Sequence, residues 1–130
     1  VLAGGGAHPL GGWFHDPTIL CDIPADAEMQ REETFGPVVP LTRFATEDEA
    51  IALANATPYG LASYVFTRDE ARARRVARRL ETGIVGLNTG LVGSPAGPFG
   101  GIKESGIGRE GGPMGLEEFL EVKYVCRPAA

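Results

Sequence analysis

An α/β architecture, with a mostly parallel sheet and crossover helices, is the fold class this sequence predicts. Three observations carry that expectation. Short strand-like runs recur at 38–44, 60–66 and 83–88, helical patterns stand between them, and both helices open on the same device. Thr46-Glu47-Asp48-Glu49 and Thr67-Arg68-Asp69-Glu70 each fit a capping box, a Thr N-cap answered by Glu three residues on. Strand, helix, strand, helix, strand is the order of right-handed crossovers on a parallel sheet. Ligands of such sheets sit beyond the carboxyl ends of the strands.

In chain order, residues 1–12 (VLAGGGAHPLGG) read as a strand end followed by a turn. Neither GxGxxG nor GxxxxGK[ST] is present, so the three glycines are a weak phosphate signal. His8 reads as an exposed loop residue. Trp13 to Ile23 mixes aromatic and β-branched residues around Pro17, with Thr18 to Cys21 as the buried strand. Cys21 and Cys126 both read as buried, inert thiols, because no sequence cue supplies the base that a nucleophilic cysteine needs. Pro24 to Gln30 is a polar connection with one helical turn. Glu32-Glu33-Thr34-Phe35-Gly36-Pro37 then leads into the run 38–44. By composition this piece reads equally as a solvated turn anchored by Phe35 or as part of a crevice.

The first helix follows Thr46, runs to about Asn55 and stops before Thr57-Pro58. A strand over 60–66 comes next. The second helix carries Ala73, Val76, Ala77 and Leu80 on one face and is expected to end at Gly83 as a C′ residue. Its other face holds Arg72, Arg74, Arg75, Arg78 and Arg79. Without interleaved aromatics, that face reads as solvated and not as an RNA site.

The segment Gly83–Gly115 holds 12 of the 19 glycines. It opens as a buried strand, Gly83 to Asn88, and then loses every helical or strand period. Phe99, Ile102, Ile107, Met114 and Leu116 recur through it, and disordered segments are poor in such residues. An ordered, functional loop is the reading. Gly115 to Leu120 is expected to form a short helix, and Glu121 to Cys126 an edge strand.

A chain of 130 residues with 43% hydrophobic content is long enough for one domain with a sizeable core. The net charge of −5 disfavours nucleic acid as a partner. No apolar run is long enough to span a membrane, and no metal-ligating set stands out. The opening residues lack a signal-peptide pattern, and two distant cysteines point to a reducing, cytoplasmic compartment. Val1 stands where a Met would start a complete protein, so either a leader was removed by processing or, the favoured expectation, this is a piece of a longer chain.

EETFGP, then GIVGLNTG, then PFGGIKESGIGRE together resemble the C-terminal part of NAD(P)-dependent aldehyde dehydrogenases. With the endings Glu110-Gly111-Gly112 and Leu120 to Tyr124, the nearest likeness is to succinate-semialdehyde dehydrogenases. The resemblance covers essentially the whole chain. It implies aldehyde oxidation through a thioester, with the nucleophilic cysteine and general-base glutamate upstream of Val1, so no catalytic residue is assigned here. It implies NAD or NADP as cofactor, with Glu33 on the nicotinamide ribose and Phe35 packed beside the nicotinamide. For a small-molecule aldehyde, Phe99 matches a wall of the substrate tunnel, and Gly93 and Ser94 lie in the loop that closes it. Asn88 and Gly100-Gly101 match structural positions. In the semialdehyde enzymes a serine binding the substrate carboxylate falls at the place of Gly93; here Ser94 stands one residue later. Residues 1–118 correspond to catalytic domain, and 119–130 to an oligomerisation strand and tail serving a dimer or tetramer. The alternative expectation is a catalytically inert interaction module.

Overall fold

Extended β-branched runs become strands where another run lies within hydrogen-bonding reach. In the computed structural model, which describes residues 1–129, they do so in pairs. The chain forms two units, Val1–Thr57 and the stretch from Pro58 onward.

In the first unit, β1 (Thr18–Cys21) and β2 (Val38–Leu41) are parallel, with Thr18 opposite Val38 and Cys21 opposite Leu41. Ala3 adds an antiparallel bridge to Ile19, which realises the expected strand end at the start of the chain. Thr18 is the buried polar residue that ties these pieces together. Its hydroxyl donates to Asp16 O at 2.8 Å and accepts from Gly5 N at 2.8 Å. The expected helical turn is a 3-10 turn at Glu28–Gln30. Helix α1 (Glu47–Asn55) begins as its sequence requires. Thr46 Oγ1 accepts from Glu49 N at 3.2 Å, while Glu49 Oε2 accepts from Ala45 N at 2.8 Å, closing the box one residue before the cap.

In the second unit the expected run 60–66 divides at Leu61. β3 (Tyr59–Gly60) pairs antiparallel with β6 (Ile102–Lys103), and β4 (Ala62–Val65) pairs parallel with β5 (Ile84–Leu87). Helix α2 (Glu70–Arg79) links β4 to β5, so the strand–helix–strand unit is realised. Its arginine face is exposed, as expected.

Both ends of α2 differ from expectation. The N-cap is Asp69, whose Oδ1 accepts from Arg72 N at 3.0 Å. The Thr67 hydroxyl instead accepts from Asp69 N at 3.2 Å, while Thr67 N donates to Asn88 Oδ1 at 2.8 Å and Asn88 Nδ2 donates to Thr67 O at 3.0 Å. That side-chain pairing ties Thr67 to the residue that follows β5. The C-cap is Leu80, already extended, and not Gly83. Gly83 is needed for close approach, since a Cβ there would collide with Gly100 O.

Further expectations are corrected. Residues 121–126 form no strand. The expected short helix is present as a 3-10 helix, Pro113–Phe119, and beyond it the backbone is extended at Leu120 without a ladder partner among the described residues. Cys126 is therefore exposed and Cys21 only half-buried, where both were expected inside. The sizeable core is absent too. Ile51 and Ala73 are the buried apolar side chains among the described residues, while Trp13, Phe35, Ile107 and Val122 are almost wholly exposed. The apolar content is present but lies on faces that this chain does not cover.

Candidate functional site

Glu33 and Phe35 belong to the first unit, and Gly93, Ser94 and Phe99 to the second. Glu33 and Phe35 lie in the irregular connection between the Glu28–Gln30 turn and β2. That connection is fastened at its end, where Pro37 O accepts from Thr18 N at 2.8 Å. The anchor reading of Phe35 is overturned, because the ring exposes 92% of its surface. Covering such a ring is worth about 2 kcal/mol. The Glu33 carboxylate is exposed and makes no hydrogen bond or ion pair among the described residues. Its two oxygens can therefore take both hydroxyls of a vicinal diol. An exposed aromatic two residues on gives a flat ring something to pack against.

The second group stands on the glycine-rich loop after β5. Asn88 begins the loop at φ 54° and is locked by its two bonds to Thr67, so its structural role holds. Gly93 sits in the open. A Cβ built on it meets nothing within 4 Å, and its φ lies outside the left-handed region. Ser94 opens a turn in which its Oγ accepts from Ala96 N at 3.3 Å and its carbonyl accepts from Gly97 N at 3.1 Å. The hydroxyl proton stays available to donate outward.

Phe99 exposes 39% of its surface and is placed by its backbone: Phe99 N donates to Glu110 O and Glu110 N to Phe99 O, both at 2.7 Å. Gly100 and Gly101 are structural, as expected. A Cβ on Gly100 would lie 2.5 Å from Gly108 O, and one on Gly101 would lie 2.6 Å from Ser105 Cβ. Arg109 was not singled out by the sequence reading, although its Nη1 bridges Gly101 O at 2.8 Å and Gly108 O at 2.7 Å. The available signal was an arginine inside a glycine-rich loop, where few other side chains could hold backbone together.

Among the described residues no group of His, Cys, Asp and Glu could hold a metal ion, and no helix is long and apolar enough to cross a membrane. The family is decided by the whole-chain pattern: the aldehyde dehydrogenase family model matches residues 1–125. The chain belongs to the aldehyde dehydrogenase family.

Within that family, this chain is 55% identical over 126 residues to a glutarate-semialdehyde dehydrogenase of Pseudomonas aeruginosa. It is equally identical over the same length to the succinate-semialdehyde dehydrogenase [NADP(+)] of Escherichia coli. Each match takes in 97% of this chain and 26% of the relative. Among solved structures, an E. coli NADP dependent enzyme superposes with a TM-score of 0.90 at 53% identity, over 98% of this chain and 27% of that one. The chain thus spans about a quarter of the length of the aldehyde dehydrogenases it matches.

Proposed function

We propose that this chain is the C-terminal part of a longer aldehyde dehydrogenase that oxidises a carboxylate-bearing semialdehyde, succinate semialdehyde first, to the acid. The reading is carried by the 55% identity to two semialdehyde dehydrogenases across nearly the whole chain. The nucleophilic cysteine and general base of the thioester chemistry would lie upstream of Val1. The nicotinamide cofactor, NAD or NADP, accepts the hydride when bound. The residues present fit it: Glu33 offers an unengaged carboxylate to the ribose diol, and Phe35 offers an exposed face to the nicotinamide. On the second unit, Phe99 would furnish tunnel wall. The Ser94 hydroxyl, one place after the open position at Gly93, would donate to the substrate carboxylate.

Assembly belongs to the same proposal. The stretch after Phe119 exposes Leu120, Val122, Tyr124 and Val125. An unpaired apolar stretch of this kind suits a strand that completes its ladder on another subunit. The parent would then be a homo-oligomer, working in the cytoplasm.

The test is to express the parent gene and follow reduced-cofactor absorbance with NAD or NADP. The substrates are succinate semialdehyde, glutarate semialdehyde and propionaldehyde. Highest kcat/KM on a semialdehyde is the expected result. A preference for propionaldehyde overturns the substrate assignment, and no oxidation of any aldehyde overturns the activity.

A further inference from the structure

We propose that Arg109 is a positioning residue whose clasp on the glycine loop sets the places of Phe99 and of the 93–97 turn, and so governs discrimination between aldehydes. This rests on the reading that Phe99 and Ser94 face the aldehyde.

The loop between β5 and the Pro113–Phe119 turn holds itself by backbone, and its fastenings converge on one short segment, 108–112. Phe99 is paired on both sides to Glu110 at 2.7 Å. The 93–97 turn is tied to the same segment where Gly112 N donates to Pro95 O at 2.9 Å. Gly111 and Gly112 have φ of 70° and 59°, and added Cβ atoms would lie 3.0 Å from Gly97 O and 2.9 Å from Ala96 O. Both candidate aldehyde-facing groups are therefore mounted on 108–112.

Arg109 fixes that mounting. Its half-buried guanidinium lies over Gly100, where a Cβ would come within 3.0 Å of Arg109 Cδ and 3.3 Å of Nη1. A single nitrogen, Nη1, joins the carbonyls of Gly101 and Gly108. The main chain of Arg109 is held in turn, its N donating to Glu118 Oε1 at 3.2 Å. A planar, permanently charged donor suits two fixed carbonyls, whereas lysine brings a flexible point charge. Removing the donor frees the backbone directly beside Phe99, and its first effect should fall on the aldehyde and not on the cofactor.

The experiment uses the full-length enzyme with Arg109→Met, Arg109→Lys, Phe99→Ala and the two double variants. Arg109→Met is expected to lower kcat/KM for the preferred semialdehyde by about ten- to hundredfold, the cost of misplacing a positioned group by ~1 Å. Cofactor KM should stay within about twofold, and Arg109→Lys should recover part of the loss. In the Phe99→Ala background the same change should cost no more than about threefold, because coupled residues are non-additive. Equal losses in both backgrounds, or parallel changes in aldehyde and cofactor KM, overturn the positioning role alone. An unaffected Phe99→Ala enzyme overturns the aldehyde-facing reading, and the proposal with it. Should Arg109→Met fail to accumulate as folded enzyme, Arg109→Lys carries the same cycle and is read by the same criteria.

Discussion

At the scale of single residues, the candidate site consists of groups left open. Among the described residues Glu33 has both oxygens unengaged, and this makes its role testable by a change that keeps shape and removes charge. In the parent enzyme, Glu33→Gln should slow hydride transfer by roughly 100-fold through lost orientation. Cofactor affinity should fall much less, since most nucleotide contacts would come from the rest of the parent. Single-turnover kinetics beside a cofactor titration will separate the two, and an unchanged rate would reduce Glu33 to a turn residue. Ser94 and Gly93 form a second test. A hydrogen bond to a charged group is worth roughly 1.5–3 kcal/mol, about ten- to hundredfold. Ser94→Ala should lower kcat/KM for succinate semialdehyde by that factor and spare propionaldehyde. A Cβ at Gly93 meets no atom within 4 Å and the backbone is not left-handed, so serine can be introduced there without displacing its surroundings in this chain. Gly93→Ser should raise semialdehyde preference in the Ser94→Ala background. Equal losses on both aldehydes in Ser94→Ala would show that Ser94 only shapes the loop.

At the scale of elements, α2 shows how a cap is chosen and why its contribution depends on pH. The hydrogen bond from Arg72 N holds the Asp69 carboxyl below the usual carboxylate range, helped by Ala71 N and the charges of Arg72 and Arg75. Its folded-state value is depressed relative to the unfolded chain. The associated stability is therefore complete above the unfolded value of about 3.9 and is lost as pH falls through the folded one. Asp69→Asn keeps a capping side chain without the titration. Acid titrations of the parent followed by circular dichroism should show the wild-type advantage over Asp69→Asn above pH 4 and its disappearance below. A constant difference across that window would mean that the Asp69 charge does nothing for the helix.

At the scale of the whole chain, the dominant fact is apolar surface without cover. Two buried apolar side chains among the described residues, Ile51 and Ala73, cannot offset the ordering of a chain this long. Expressed alone, residues 1–130 should unfold without a cooperative denaturant transition and bind a hydrophobic dye. If the nucleophile and base lie outside this chain, as proposed, it should also produce no reduced cofactor from NAD or NADP with any aldehyde. A sharp two-state transition would refute the first expectation, and turnover above a heat-killed control the second.

Much of this was written in local sequence. The Thr46 cap, the strand–helix–strand order and the motifs that mark the family all act over a few residues, the reach of a capping hydrogen bond or one helical turn. The close-packed role of Gly100-Gly101 was legible in the same way, from the resemblance. Tertiary structure decided what depends on partners distant in sequence. Asn88 holds the Thr67 backbone from 21 residues away, and the α2 cap stands at Asp69, whose N donates to the Thr67 hydroxyl. Ile102 and Ile84 drew Gly60 and Ala62 into different sheets. Arg109 became the fastening of the loop because Gly101 and Gly108 turned their carbonyls toward one nitrogen. Residues 121–126 kept the alternation of a strand and formed none, because alternation selects a face while only a neighbouring backbone completes a ladder.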